Sequence, residues 1–270
     1  MFSRVATSTA AAVLFFMAAW QSSIAQATYE GFDYDPTISL SGRDGGTGWN
    51  SPWFTGDPFP MGPWYTRADG LSFLGMAATG RSVSPYSDGD CGAARGVQVG
   101  GTGLTTYFSW LVRVPAAGDQ HVETGFLANA AAFAIGLIQE SGGDMAFVLG
   151  SDPDLAYEIV PSGGAQTYLI TGSLYVDPMS AGHVTASLWA DPFAPLSVLN
   201  LDISGDWSGG IEAIWLGSAG SSGYVLDEIY LGAEPRNPVV PEASSVLALL
   251  SMLGMGGVGL LRRHGTMRPR

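Results

Sequence analysis

Residues 105–114 read TTYFSWLVRV. In steps of two, Phe108, Trp110, Val112 and Val114 fall on one face, the alternation of a strand with one side buried. Residues 183–189, HVTASLW, repeat the pattern with Val184, Ala186 and Leu188. Outward from these two runs lie Val122–Leu127, Ala132–Gln139, Met145–Leu149, Tyr168–Val176, Leu196–Ile203, Ile211–Leu216 and Tyr224–Leu231, separated by Gly, Pro, Asp or Ser. About ten short strands with no helix between them predict an all-β fold, an antiparallel β-sandwich. Only Ala128–Ala134 competes as a helix, on alanine propensity. Glycine fits the same picture: 38 of 270 residues, without a triplet or solenoid period, supply tight turns.

Hydrophobic residues make up 46 % of the chain, enough for a sizeable core, and charged residues only 13 %. The net charge is −13 and all 11 basic residues are arginine. Such a surface repels phosphate backbones, which excludes nucleic acid as a partner.

Both ends carry targeting patterns. Arg4, the apolar run Ala10–Trp20 and the small-x-small triplet Ala25-Gln26-Ala27 predict a signal peptide over residues 1–27. A β-sandwich domain is expected over 28–232 and a linker over 233–240. Ser244–Leu261 is an 18-residue run without charge, followed by Arg262, Arg263, Arg268 and Arg270. It is long enough for a transmembrane helix whose basic end stays cytoplasmic. Val240, Pro241, Glu242, Ala243 and Ser244 precede it. This tail over 241–270 resembles the PEP-CTERM sorting signal, with Ala243 where a second proline is usual. The resemblance implies export in a Gram-negative bacterium, processing by an exosortase-type enzyme, transient membrane attachment through the C-terminal helix, and a final place at the cell surface or in the extracellular matrix. A plain membrane anchor is the alternative. Without both ends the chain keeps 23 acidic residues against six arginines, a net charge near −17. The single cysteine, Cys91, can form no internal disulfide, so a large core must replace such staples.

The body carries a second resemblance. Tyr29-Glu30-Gly31-Phe32-Asp33-Tyr34, then Gly45-Gly46-Thr47-Gly48-Trp49 and Trp53, with Leu174–Pro178, Val184–Pro192 and the closing Leu226–Gly232, resemble the jelly-roll domains of the concanavalin A-like, LamG-like class. That class holds lectins, adhesion modules and glucanases, so its fold alone selects no activity.

Glucanases of that kind set paired carboxylates as Glu-x-Asp along one strand, so that acid and nucleophile face one cleft. No such spacing occurs, nor does H-E-x-x-H, G-x-S-x-G or a P-loop, and His121, His183 and His264 stand apart. The chain is therefore expected not to be an enzyme. Asp227 interrupts a row formed by Val225, Ile229 and Leu231, and a buried carboxylate needs hydrogen bonds, an arginine or a metal. Calcium is the sharper reading for Asp227 and for two acidic loops, Asp88 with Asp90 and Asp152 with Asp154 (Glu158 following), against plain capping or solvation. Residues 49–65, WNSPWFTGDPFPMGPWY, crowd Trp49, Trp53, Trp64 and Tyr65 among prolines. These rings either stack on sugars or plug one end of the sandwich. The expected function is an exported surface or matrix protein that binds polysaccharide. A glycoside hydrolase with carboxylates distant in sequence and a passive matrix component are the alternatives.

Overall fold

The computed structural model describes residues 27–55, 62–73, 80–86, 90–115, 120–129, 131–139, 144–151, 154–161, 165–220 and 223–236. Residues 1–26 of the expected signal peptide, the motif Val240–Ser244 and the apolar span 244–261 lie outside them. Among the described residues no helix is long and apolar enough to cross a membrane.

Fourteen strands are formed by the described residues: β1 (Thr28–Glu30), β2 (Trp64–Thr66), β3 (Val83–Pro85), β4 (Cys91–Val99), β5 (Thr105–Val114), β6 (Gln120–Ala128), β7 (Ala131–Gln139), β8 (Met145–Ser151), β9 (Asp154–Val160), β10 (Gln166–Val176), β11 (Gly182–Trp189), β12 (Ser197–Ile203), β13 (Ile211–Ala219) and β14 (Val225–Gly232). They make two antiparallel sheets, the expected sandwich. One runs β12-β11-β10-β5-β14-β3-β2, with β1 also on β14; the other runs β4-β13-β6-β7-β8-β9.

The core lies between the sheets, where the period-two rows of the sequence meet. Phe108, Trp110, Val112 and Val114 on β5 and Val184, Ala186 and Leu188 on β11 all point into it. At its centre Phe126 stacks on Phe133 with centroids 4.7 Å apart, beside Phe108 at 5.0 Å and Trp110 at 5.9 Å from Phe126. Offset aromatic pairs of this kind add about 0.5–1.5 kcal/mol each beyond area burial.

One competing reading is settled and two expectations change. Residues 128–134 are not helical: Ala128 pairs with Ala131 and the chain reverses at Asn129, at φ 29°. A two-residue hairpin overrides alanine propensity because both flanking runs have buried faces to satisfy. β1, β2, β3, β4 and β9 are absent from the strands expected: the first three are only three residues long, CGAARGVQV buries an arginine and DLAYEIV exposes its apolar side. The row through Asp227 is also not continuous. Val225 packs in a small cluster with Leu71, Phe73, Leu111 and Leu169 outside the eight-stranded sheet, whereas Ile229 and Leu231 face the main core. A register shift between Asp227 and Tyr230 against β5 inserts Glu228 at φ 56°, and this bulge reverses which face each later residue takes.

Candidate functional site

The aromatic opening of the chain is drawn inward by one carboxylate. Glu30 on β1 is fully buried. Its Oε1 accepts the Phe32 N–H at 2.8 Å, and its Oε2 accepts the Trp53 indole N–H at 3.0 Å and the Tyr34 hydroxyl at 2.9 Å. The same oxygen pairs with the buried Arg95 guanidinium from β4. Arg95 reaches on to Asp44 at 2.8 Å and the Ser51 carbonyl at 2.8 Å, and lies over the Trp49 ring at 4.8 Å. Burial, with the Glu30 charge beside it, pushes the Tyr34 hydroxyl up to about 12. A buried charge pair persists only when every remaining polar group is bonded, and this one is.

The sugar-platform expectation for Trp53 and Trp64 is thereby corrected. Trp53 and Trp64 sit in the core, and Trp49 is half-buried beneath Arg95 with its N–H on the Tyr29 carbonyl at 3.0 Å. A ring sealed in the core has no face for a sugar. Tyr65 differs. On β2, Trp64 and Thr66 point inward, so Tyr65 points out, opposite Ser84 of β3.

Asp227 is buried and ties a loop to the sheet: its carboxylate accepts the Leu71 N–H at 2.7 Å and the Glu228 N–H at 2.8 Å. Burial, opposed by these bonds and reinforced by the Glu228 and Glu30 charges, pushes its carboxyl up to about 8. Asp227 thus caps loop N–H groups. Asp90 is exposed, and Asp154 starts β9 opposite Ser151, on the other sheet from Asp227. Glu158 is not in an acidic turn but on β9, accepting the Ser197 hydroxyl at 2.6 Å. Asp88 and Asp152 lie outside the described residues. Among the described residues no group of three His, Cys, Asp or Glu side chains is placed to hold a metal.

The remaining side chains converge at Tyr65. An open groove of about 600 Å³ is lined by Tyr65, Tyr86, Arg67, Asp69, Ser84 and Thr37. The Tyr65 and Tyr86 rings lie 4.8 Å apart, and Tyr86 is 67 % exposed. Arg67 reaches Asp69 at 3.3 Å and Arg113 reaches its other oxygen at 3.5 Å. Partial burial works against ionisation of Asp69, but its own N–H, Arg67 and Arg113 outweigh it and hold the carboxyl below its usual range. Chemically this is a surface of ring faces and charged hydrogen-bond donors, suited to gripping a polyhydroxylated chain. Tyr86, Arg67 and Asp69 were missed in the sequence. For Arg67 and Asp69 the signal was present, since they follow Tyr65 at every second residue in WYTRAD.

A smaller depression of about 160 Å³ lies on the same sheet among Tyr107, Thr171, Ser173 and Arg236. The Arg236 guanidinium stacks at 5.0 Å over Tyr29, whose hydroxyl bonds the buried Glu228.

No family model matches the chain, and no curated protein matches it. Among solved structures it is similar to the CBM2 module of an evolved Dit from Lactobacillus casei BL23 phage J-1, at TM-score 0.48 and 14 % identity over 77 % of this chain and 96 % of that one. It is also similar to a protein of unknown function from Shewanella oneidensis MR-1, at TM-score 0.45 and 12 % identity over 84 % and 95 %. A third likeness is to the endo-β-1,4-glucuronan lyase of Trichoderma reesei, at TM-score 0.36 and 7 % identity over 74 % and 96 %.

Proposed function

We propose that this chain is an exported, non-enzymatic module of the concanavalin A-like jelly-roll class that binds polysaccharide in the Tyr65–Tyr86 groove. The observation that carries the reading is the aromatic pair with an exposed ring beside the Arg67–Asp69–Arg113 cluster. Among the described residues the groove lining holds one carboxylate, Asp69, where sugar hydrolysis needs two facing a common cleft, which favours holding over cleaving. In the same proposal residues 1–27 direct export. The tail from Val240 onward is handled by an exosortase-type enzyme, which sorts the protein to the surface or matrix of a Gram-negative cell.

Pull-down of the protein on the host's own polysaccharide, with calcium and with chelator, tests the groove. Binding that falls at least tenfold in Tyr86→Ala and persists in chelator is expected; binding indifferent to Tyr86 contradicts the reading, and loss in chelator would restore a calcium role. Truncation before Glu242 should release the protein to the medium, and retention at the envelope would refute the sorting role.

A further inference from the structure

On the outward face of the six-stranded sheet, cross-strand register lines up Phe54, Ala94, Trp215, Gly125, Ala134 and Gly150 in one row. Directly paired residues of antiparallel strands point to the same side, so this row is one continuous strip of surface. Trp215 does not stand up from it. A Cβ placed on Gly125 or on Gly217 would fall within the indole, so the ring lies flat across both glycines, half-buried, with its other face outward. Glycine inside a strand weakens it and marks a position where something must approach the backbone closely. Here that something is the Trp215 ring, and the result is a planar aromatic surface held in a fixed pose.

The surroundings select a ligand class. Phe54, 46 % exposed, stands two strands from Trp215, about 10 Å at the usual strand spacing and the span of two extended sugar units. Beyond Trp215 the row continues through Ala134 and Gly150 to the exposed Leu155, whose side chain lies over Gly150. In the adjacent row Glu123 lies against Gly136 and Gly217 and meets His121 at 3.2 Å, placing an acceptor and an imidazole beside the indole. The strip itself carries no charge, while the chain as a whole is at −13. An anionic polymer would be repelled by the molecule and find no cation here. A flat, uncharged polymer with hydroxyls at its edges meets neither obstacle.

We infer that this face is a second polysaccharide contact: a track for an uncharged, extended sugar chain that stacks on Trp215 and Phe54 and hydrogen-bonds Glu123. It lies on the opposite side of the sandwich from the Tyr65–Tyr86 groove and does not depend on it, so the molecule can bridge two chains.

Affinity electrophoresis of the protein through gels containing hydroxyethylcellulose, xyloglucan, galactomannan or polygalacturonate tests the track. Retardation by at least one uncharged polymer is expected, reduced tenfold or more in Trp215→Ala. Gly125→Ala keeps the indole but lifts it from the sheet, and should lose as much. Phe54→Ala, at an exposed position, should weaken binding severalfold and serves if Gly125→Ala does not fold. Tyr86→Ala should leave this retardation within twofold. If Trp215→Ala and Phe54→Ala bind like the parent, or only polygalacturonate retards the protein, or nothing does, the track is overturned. Loss in Tyr86→Ala alone would leave the groove as the site and remove the track.

Discussion

Arg95 shows how one side chain organises a terminus. Its guanidinium holds Glu30 and Asp44 and roofs Trp49, so β1 and the loop through Asp44 and Trp49 both depend on a residue more than 40 positions away. Removing one member of a fully buried pair leaves the other charge unpaired, at a cost of about 3–5 kcal/mol. Arg95→Met should therefore lower the free energy of urea unfolding by that amount, and Glu30→Gln/Arg95→Met should recover part of it. Strict additivity of the two single losses would refute the coupling. Asp227 has the opposite signature. Its carboxyl is raised from 3.8 to about 8 in the fold. The folded state thus holds a proton that the unfolded state releases, so its contribution is complete below about pH 4 and is lost as pH rises towards 8. Asp227→Asn should flatten the fall in Tm across that window. An unchanged pH slope would place the titration elsewhere.

At the scale of elements, β9 is an edge strand whose outward positions are Leu155, Tyr157 and Ile159, each about 60 % exposed. Edge strands are ordinarily blunted by lysine, proline or bulges, and 154–160 contains no lysine or proline. Ile159→Lys should raise the concentration at which the protein self-associates in light scattering while leaving Tm within about 2 °C, since the side chain packs on little; lower solubility would contradict this. The bulge of β14 is an element-scale device too. Asp227 keeps the outward face of Val225 and meets the loop at Leu71, and by inserting Glu228 the bulge turns Ile229 and Leu231 back to the core. Strict alternation in the sequence conceals this, because the inserted residue changes parity without changing composition.

For the whole molecule, stability rests on one large core between two sheets, in which the single cysteine, Cys91, is buried. Thermal unfolding should proceed in one transition whose midpoint is the same with and without reductant. A reductant-sensitive midpoint would reveal an intermolecular disulfide.

Several features were legible from local order alone. The inner faces of β5 and β11, the turn-rich antiparallel class and the acidic, lysine-free surface follow from period-two alternation and composition, which act between neighbours in sequence. The site was less legible. Tyr65 was singled out, but with Trp49, Trp53 and Trp64 as equals, because residue type does not say which ring faces water. Only the tertiary structure separated them: Glu30 and Arg95, 65 positions apart, hold Trp53 and Trp49, Trp64 turns into the core from β2, and Tyr86, just past β3, completes the groove beside the Asp69 that Arg113 pairs with. Trp215 was invisible for the same reason. A flat ring needs glycines beneath it, and Gly125 comes to lie under the indole only through the register of β6 against β13. Sequence fixes the alternation of each strand, but pairing between strands decides which side chains meet, because cross-strand contacts join residues that chain order keeps apart.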